Sequence, residues 1–180
     1  MASSRSVSSR RSSDPMDVFT PAYRRLVPEL LGIEWSAQEG MSAQEFGARC
    51  AQSPAAQHFT ETDLQIPVAL SRFYLAVGGC EEVLETDHFF FAPEEFDVRD
   101  GHLMFLEDAE ESTVWGIPVD QLSLPDPLVA QRSSGADAET GAWRPLEGTV
   151  SEFITDLFAW MLETAESESG NERDDEDGRS

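Results

Sequence analysis

Apolar residues recur along this chain at two spacings, and each predicts a different kind of element. Ile66, Leu70, Phe73, Tyr74 and Val77 share one face at a period near 3.6 residues, the mark of an amphipathic helix. Pro67 suits its first turn, where a missing N–H costs nothing, and Gly78-Gly79 predicts a left-handed stop at its end. Val150, Phe153, Ile154, Leu157, Phe158 and Met161 repeat the pattern behind Thr149-Val-Ser-Glu152, a capping box in which each side chain accepts the other residue's N–H. Trp160 falls off that stripe, at the edge of the buried face or at an interface. A shorter helix is expected behind a second capping box, Ser42-x-x-Glu45, with Phe46 and Cys50 on one side and an end before Pro54. Residues 52–60 read as a connection. From Asp17 another short helix turns Tyr23, Leu26 and Val27 inward, disturbed by Pro28, and Leu30, Leu31, Ile33 and Trp35 form an apolar patch beyond it.

Between the two long helices the pattern changes to short runs rich in aromatic and β-branched residues, which predict strands. Leu103-Met104-Phe105-Leu106 and Val114-Trp115-Gly116-Ile117 flank the acidic loop Glu107-Asp108-Ala109-Glu110-Glu111, a β-hairpin at the centre of a sheet. Phe89-Phe90-Phe91 is an early strand stopped by Pro93. Phe96 and Val98 precede the turn Arg99-Asp100-Gly101-His102. Leu128 to Gln131 follows Asp126-Pro127 as a further strand, 133–141 is a flexible turn or insertion, and Trp143 to Leu146 pairs last. The expected fold is therefore α+β: a central antiparallel sheet of about four to six strands flanked by helices.

Composition sets the limits of this domain. Residues 1–16 are Ser/Arg-rich and 166–180 are acidic and without core residues, so both read as disordered tails around one domain over 17–165. No apolar run approaches the roughly 18 to 20 residues of a membrane span, and the amino-terminal segment lacks the apolar stretch of a secretory signal. Cys50 and Cys80 form no Cys-x-x-Cys pair and read as two reduced thiols in a cytoplasmic protein. The net charge is −23, and residues 14–162 alone carry −20 of it, against +3 on residues 1–13. Such a surface repels nucleic acid and anionic membranes and speeds encounter with basic proteins.

Four stretches together resemble the SUKH superfamily, also called the SMI/KNR family. They are Ile66-Pro67 leading through Phe73-Tyr74 to Gly78-Gly79; the strand–loop–strand from Phe105 to Trp115; Asp126-Pro127-Leu128-Val129; and Trp143 ahead of the closing Ser151–Leu162 helix. Their order and spacing agree over about residues 60–165. Pro67, Gly78, Gly79, Trp115, Asp126 and Pro127 match as framework positions. The loop departs from the family: Asp108-Ala109-Glu110 stands where Glu-Asn-Gln is frequent, so amide contacts do not carry over. The resemblance implies an α+β domain that binds protein without catalysis or cofactor. Many bacterial members are immunity proteins that neutralise polymorphic toxins, often nucleases; others are intracellular regulatory or scaffold proteins.

The chemistry-bearing residues agree with a binding role. Residues 81–111 hold twelve acids and one cation, Arg99. Glu94, Glu95, Glu107, Asp108, Glu110 and Glu111 are expected to form an anionic face for the basic cleft of a toxin domain, with Phe96 or Trp115 as an apolar anchor. The bland reading of the same acids is a solvated face, and of Trp115 a core residue. A carboxylate pair of the glycosidase kind would need a cleft around it. His58, His88 and His102 are scattered, with no metal-ligand spacing, so neither metal nor cofactor is expected. The sequence leaves oligomeric state open.

Overall fold

The computed structural model describes residues 17–62, 65–133 and 141–171. It is α+β, with a 6-stranded antiparallel sheet in the order β1-β3-β4-β5-β6 and with β2 also paired to β3. The strands are β1 (His88–Phe90), β2 (Asp97–Arg99), β3 (His102–Asp108), β4 (Thr113–Pro118), β5 (Leu128–Ser133) and β6 (Arg144–Thr149). The expected hairpin is β3–β4, and it does lie at the middle of the sheet. The turn between β2 and β3 places Asp100 at φ 49° and Gly101 at φ 74°, the left-handed pair that a tight two-residue hairpin requires.

Seven α-helices accompany the sheet among the described residues: α1 (Phe19–Arg24), α2 (Leu26–Leu31), α3 (Ala43–Cys50), α4 (Ala56–Thr62), α5 (Val68–Val77), α6 (Glu81–Leu84) and α7 (Val150–Asn171). α5 is the central one. Its Leu70, Phe73, Tyr74 and Val77 are completely buried, as the 3.6-residue pattern predicts. Phe73 meets Tyr23 of α1 edge-on at 5.4 Å, Phe90 of β1 at 4.6 Å and Phe158 of α7 at 6.3 Å, so one ring joins three elements. α7 buries Val150, Ile154 and Phe158 and leaves Trp160 54% exposed. Its capping box forms reciprocally: Thr149 N–H donates to Glu152 Oε2 at 3.0 Å, and Glu152 N–H to Thr149 Oγ1 at 3.5 Å. Asp126 anchors the same helix end from 25 residues away, accepting from Ser151 N–H at 3.0 Å and Ser151 Oγ–H at 2.6 Å.

Several expectations are corrected. Residues 56–62 form α4 rather than part of a connection; their short helix carries no apolar stripe for a periodicity reading to detect. Gly78 is not left-handed: its φ is −67°, and neither it nor Gly79 is among the positive-φ glycines. Close approach explains the pair instead. A Cβ on Gly79 would lie 2.5 Å from the Gln38 carbonyl oxygen, because the 35–41 segment wraps the end of α5. Trp35 Nε1–H to the Ala76 carbonyl at 2.7 Å and Gly79 N–H to the Glu39 carbonyl at 2.9 Å hold it there. Behind Ser42, only half of the capping box forms, since Glu45 turns to Arg49 at 2.7 Å. α7 runs on to Asn171, past the boundary at 165 expected from the loss of apolar residues. Residues 1–16, 134–140 and 172–180, read from sequence as disordered or flexible, lie outside the described residues. Among the described residues no helix is long and apolar enough to cross a membrane. Both cysteines are free.

Candidate binding groove

Neighbouring residues of a strand face opposite sides of a sheet, so strand register decides what shares a face. Phe90, Leu106 and Trp115 are paired across β1, β3 and β4 and turn toward the helices. The adjoining row, Phe89, Glu107, Val114 and Arg132, is paired across β1, β3, β4 and β5 and turns away from them. Asp97 and Met104, paired between β2 and β3, continue that outer face. The register of β3 slips between Met104 and Leu106, and this bulge lets Phe105 and Leu106 both be fully buried.

The outer face holds a groove of about 630 Å³. Phe89, Phe91, Met104 and Val114 supply its apolar floor, while Glu95, Asp97, Glu107 and Glu111 surround it with carboxylates. Two cations also line it, but each is already engaged: Arg99 Nε lies 2.8 Å from Asp97 Oδ2, and Arg132 Nη1 lies 2.6 Å from Asp100 Oδ2. Glu95 accepts the Ala92 N–H at 3.0 Å. Glu107 and Glu111 take part in none of the ion pairs among the described residues. Burial raises the Glu107 pKa above the ordinary glutamate value, the negative charges of Glu111, Asp108 and Glu95 add to the rise, and Arg99 opposes it. A cation entering the groove would relieve that crowding.

The hairpin loop presents Glu111. Asp108 clamps the loop from within: its Oδ1 accepts Ser112 N–H at 2.7 Å and Thr113 N–H at 3.0 Å, and its Oδ2 accepts Ser112 Oγ–H at 2.6 Å. Burial works to raise the Asp108 pKa, but these hydrogen bonds outweigh it, and the net shift is downward. Glu111 itself is held at φ 53°, a left-handed conformation that a glutamate rarely adopts. At the other end of the face, Trp143 lies across Gly116, where a Cβ would come within 2.9 Å of its Cη2. Trp143 stacks on His102 at 4.2 Å, and the Arg132 guanidinium sits 5.1 Å from its ring centre.

The structure thus divides the residues expected from sequence. Glu95, Glu107 and Glu111 meet in the groove. Glu94 is drawn off to Arg49 of α3 at 3.4 Å, and Glu110 is exposed at the loop tip. Asp108 serves the loop rather than the face. Phe96 is not a surface anchor: it is completely buried, 5.6 Å from Tyr74, because its backbone turns inward between the Pro93–Glu95 turn and β2. Trp115 is half-buried on the helix side, 5.9 Å from Phe153 and 5.4 Å from His88, and does not line the groove. Phe89, Met104, Val114 and Arg132 are not marked out in the sequence, because Met104 sits in a continuous buried run and the neighbours of Val114 and Arg132 are only partly buried or exposed. Among the described residues, no group of three or more His, Cys, Asp or Glu side chains is placed to hold a metal ion. No family model matches the chain, and it has no match among curated proteins or solved structures.

Proposed function

We propose that this chain is a non-catalytic protein-binding domain whose outer sheet face receives a basic surface of its partner. One observation carries the reading: Glu107 and Glu111 stand together, without ion pairs among the described residues, over an apolar floor. A carboxylate without an ion pair and partly withdrawn from water, as Glu107 is, gains more from a cation than a solvated surface acid does, and the floor supplies the area that charge alone lacks. The partner class rests on different support. The SUKH resemblance favours a cytoplasmic immunity role, in which the partner is a toxin domain, a nuclease for instance, and the acidic face blocks its basic cleft.

The test uses the full chain as bait beside a Glu107→Arg/Glu111→Arg variant. The expected result is one basic protein held at one-to-one stoichiometry by the native chain and lost by the variant. Expressed alone, that protein should arrest cell growth, and co-expression of the native chain should restore it. A retained protein without toxicity would replace the immunity role with a regulatory or scaffold role. Equal retention by both baits would remove the groove from the interface.

A further inference from the structure

The apolar floor of the groove and its charged rim meet at one place, and the strand register says where. Glu107 is paired with Phe89 of β1 on one side and with Val114 of β4 on the other, all on the outer face. Side chains directly opposite each other on antiparallel strands have Cβ atoms about 4.5 to 5.5 Å apart, so a carboxylate and an aromatic ring are neighbours here. Phe89 is 37% exposed, a large ring open to a partner. The same row runs on through Val114 to Arg132. There the molecule already seats a guanidinium between a carboxylate and a ring: Arg132 Nη1 lies 2.6 Å from Asp100 Oδ2, and the guanidinium carbon 5.1 Å from the centre of the Trp143 ring. Glu107 and Phe89 present the same two kinds of partner further along the row. Five acids line the groove against two arginines, and both arginines are paired with aspartates, so the charge left over favours a cation.

We propose that the groove reads arginine and not positive charge in general: an arginine side chain of the protein partner lays its guanidinium on the Phe89 ring and donates its N–H groups to Glu107 and Glu111. This rests on the groove being the partner site. A guanidinium is planar and weakly hydrated, and its donors lie in its plane, so it pairs with a carboxylate and stacks on a ring at the same time. Its aliphatic stem covers apolar surface such as Met104 and Val114. A lysine ammonium is compact and strongly hydrated, and a floor of Phe, Met and Val offers nothing in exchange for its water. Glu111 is held in place before any partner arrives, since its N–H donates to the Asp108 carbonyl at 3.0 Å, so little ordering is left for binding to impose.

The experiment titrates the full chain with hexa-arginine and with hexa-lysine, two peptides of equal charge, and follows amide ¹H–¹⁵N shifts. Hexa-arginine should shift Phe89, Glu107, Glu111 and Val114 and bind about threefold or more tightly than hexa-lysine. Phe89→Leu keeps an apolar side chain at a partly exposed position and should bring the two affinities together, while Phe89→Tyr should keep them apart. Equal affinities in the native chain, or a preference that survives Phe89→Leu, would overturn the arginine reading. If both peptides shift the groove amides equally, the groove remains the cation site and only its choice of arginine falls. If neither peptide shifts a groove amide, the groove reading falls with it.

Discussion

Two adjacent carboxylates on β3 respond to pH in opposite directions, and the difference lies in what each one meets. Asp108 meets three hydrogen-bond donors, which hold its native pKa below the ordinary value. Its contribution to stability is present above the unfolded-state pKa and is lost as pH falls through the lowered native pKa. Asp108→Ala removes the acceptor of three part-buried hydrogen bonds and should cost about 1 to 2 kcal/mol in urea unfolding, whereas Glu110→Ala at the exposed tip should change stability by less than about 0.5 kcal/mol. Glu107 is raised, by burial first and by Glu111, Asp108 and Glu95 after it. Folding favours its protonated form, so its stabilising contribution is present at low pH and lost as pH rises through its native pKa. Binding reverses the preference, because a cation favours the carboxylate. Affinity for hexa-arginine should therefore rise with pH through the Glu107 titration, and titration calorimetry should show proton release there. Glu107→Gln should remove both effects.

At the scale of elements, the outline was legible wherever burial imposes a period. α5, α7 and the β3–β4 hairpin appear in the sequence because each buries a defined face. α4 was hidden because its short sequence has no such face. Gly78-Gly79 was recognised as the end of a helix for the wrong reason, since a contact with residues 38–40 leaves no local trace. That contact makes a prediction: Gly79→Ala pushes a methyl into the Gln38 carbonyl and should cost about 1 to 3 kcal/mol. Thermal unfolding would measure it, and a loss of less than half that would mean the 35–41 segment yields. The groove was half legible. Its acids were visible as a run, but which of them share a face depends on the β3 bulge and on the strand register. Phe96 and Trp115 looked like anchors because large aromatic residues serve equally in cores and in interfaces, and only their neighbours decide.

For the whole molecule, the dominant quantity is −23 of net charge on 180 residues. Self-repulsion of that size opposes the compact state, and salt screens it over a distance that falls from about 30 Å at 0.01 M to about 3 Å at 1 M. The melting temperature should rise by several degrees across that range. A flat or falling response would mean that ion pairs such as Arg132–Asp100 stabilise more than the excess acids repel. The excess also links the molecular scale back to the site, because it draws basic proteins in before any contact forms, and association should slow steeply with salt.

The edges of the sheet add one consequence for how a partner can be read. One flank of β3 is shared by β1 and β2, two strands of three residues each, and the other end of the sheet is β6, which contains Pro145, Glu147 and Gly148. Short strands, a proline and a charge are poor templates for an incoming ladder. On the proposed binding role, a partner would meet the floor with its side chains instead of completing the sheet with its backbone. N-methylating alternate amides of an arginine peptide should leave its affinity unchanged, where a strand-adding ligand would lose it.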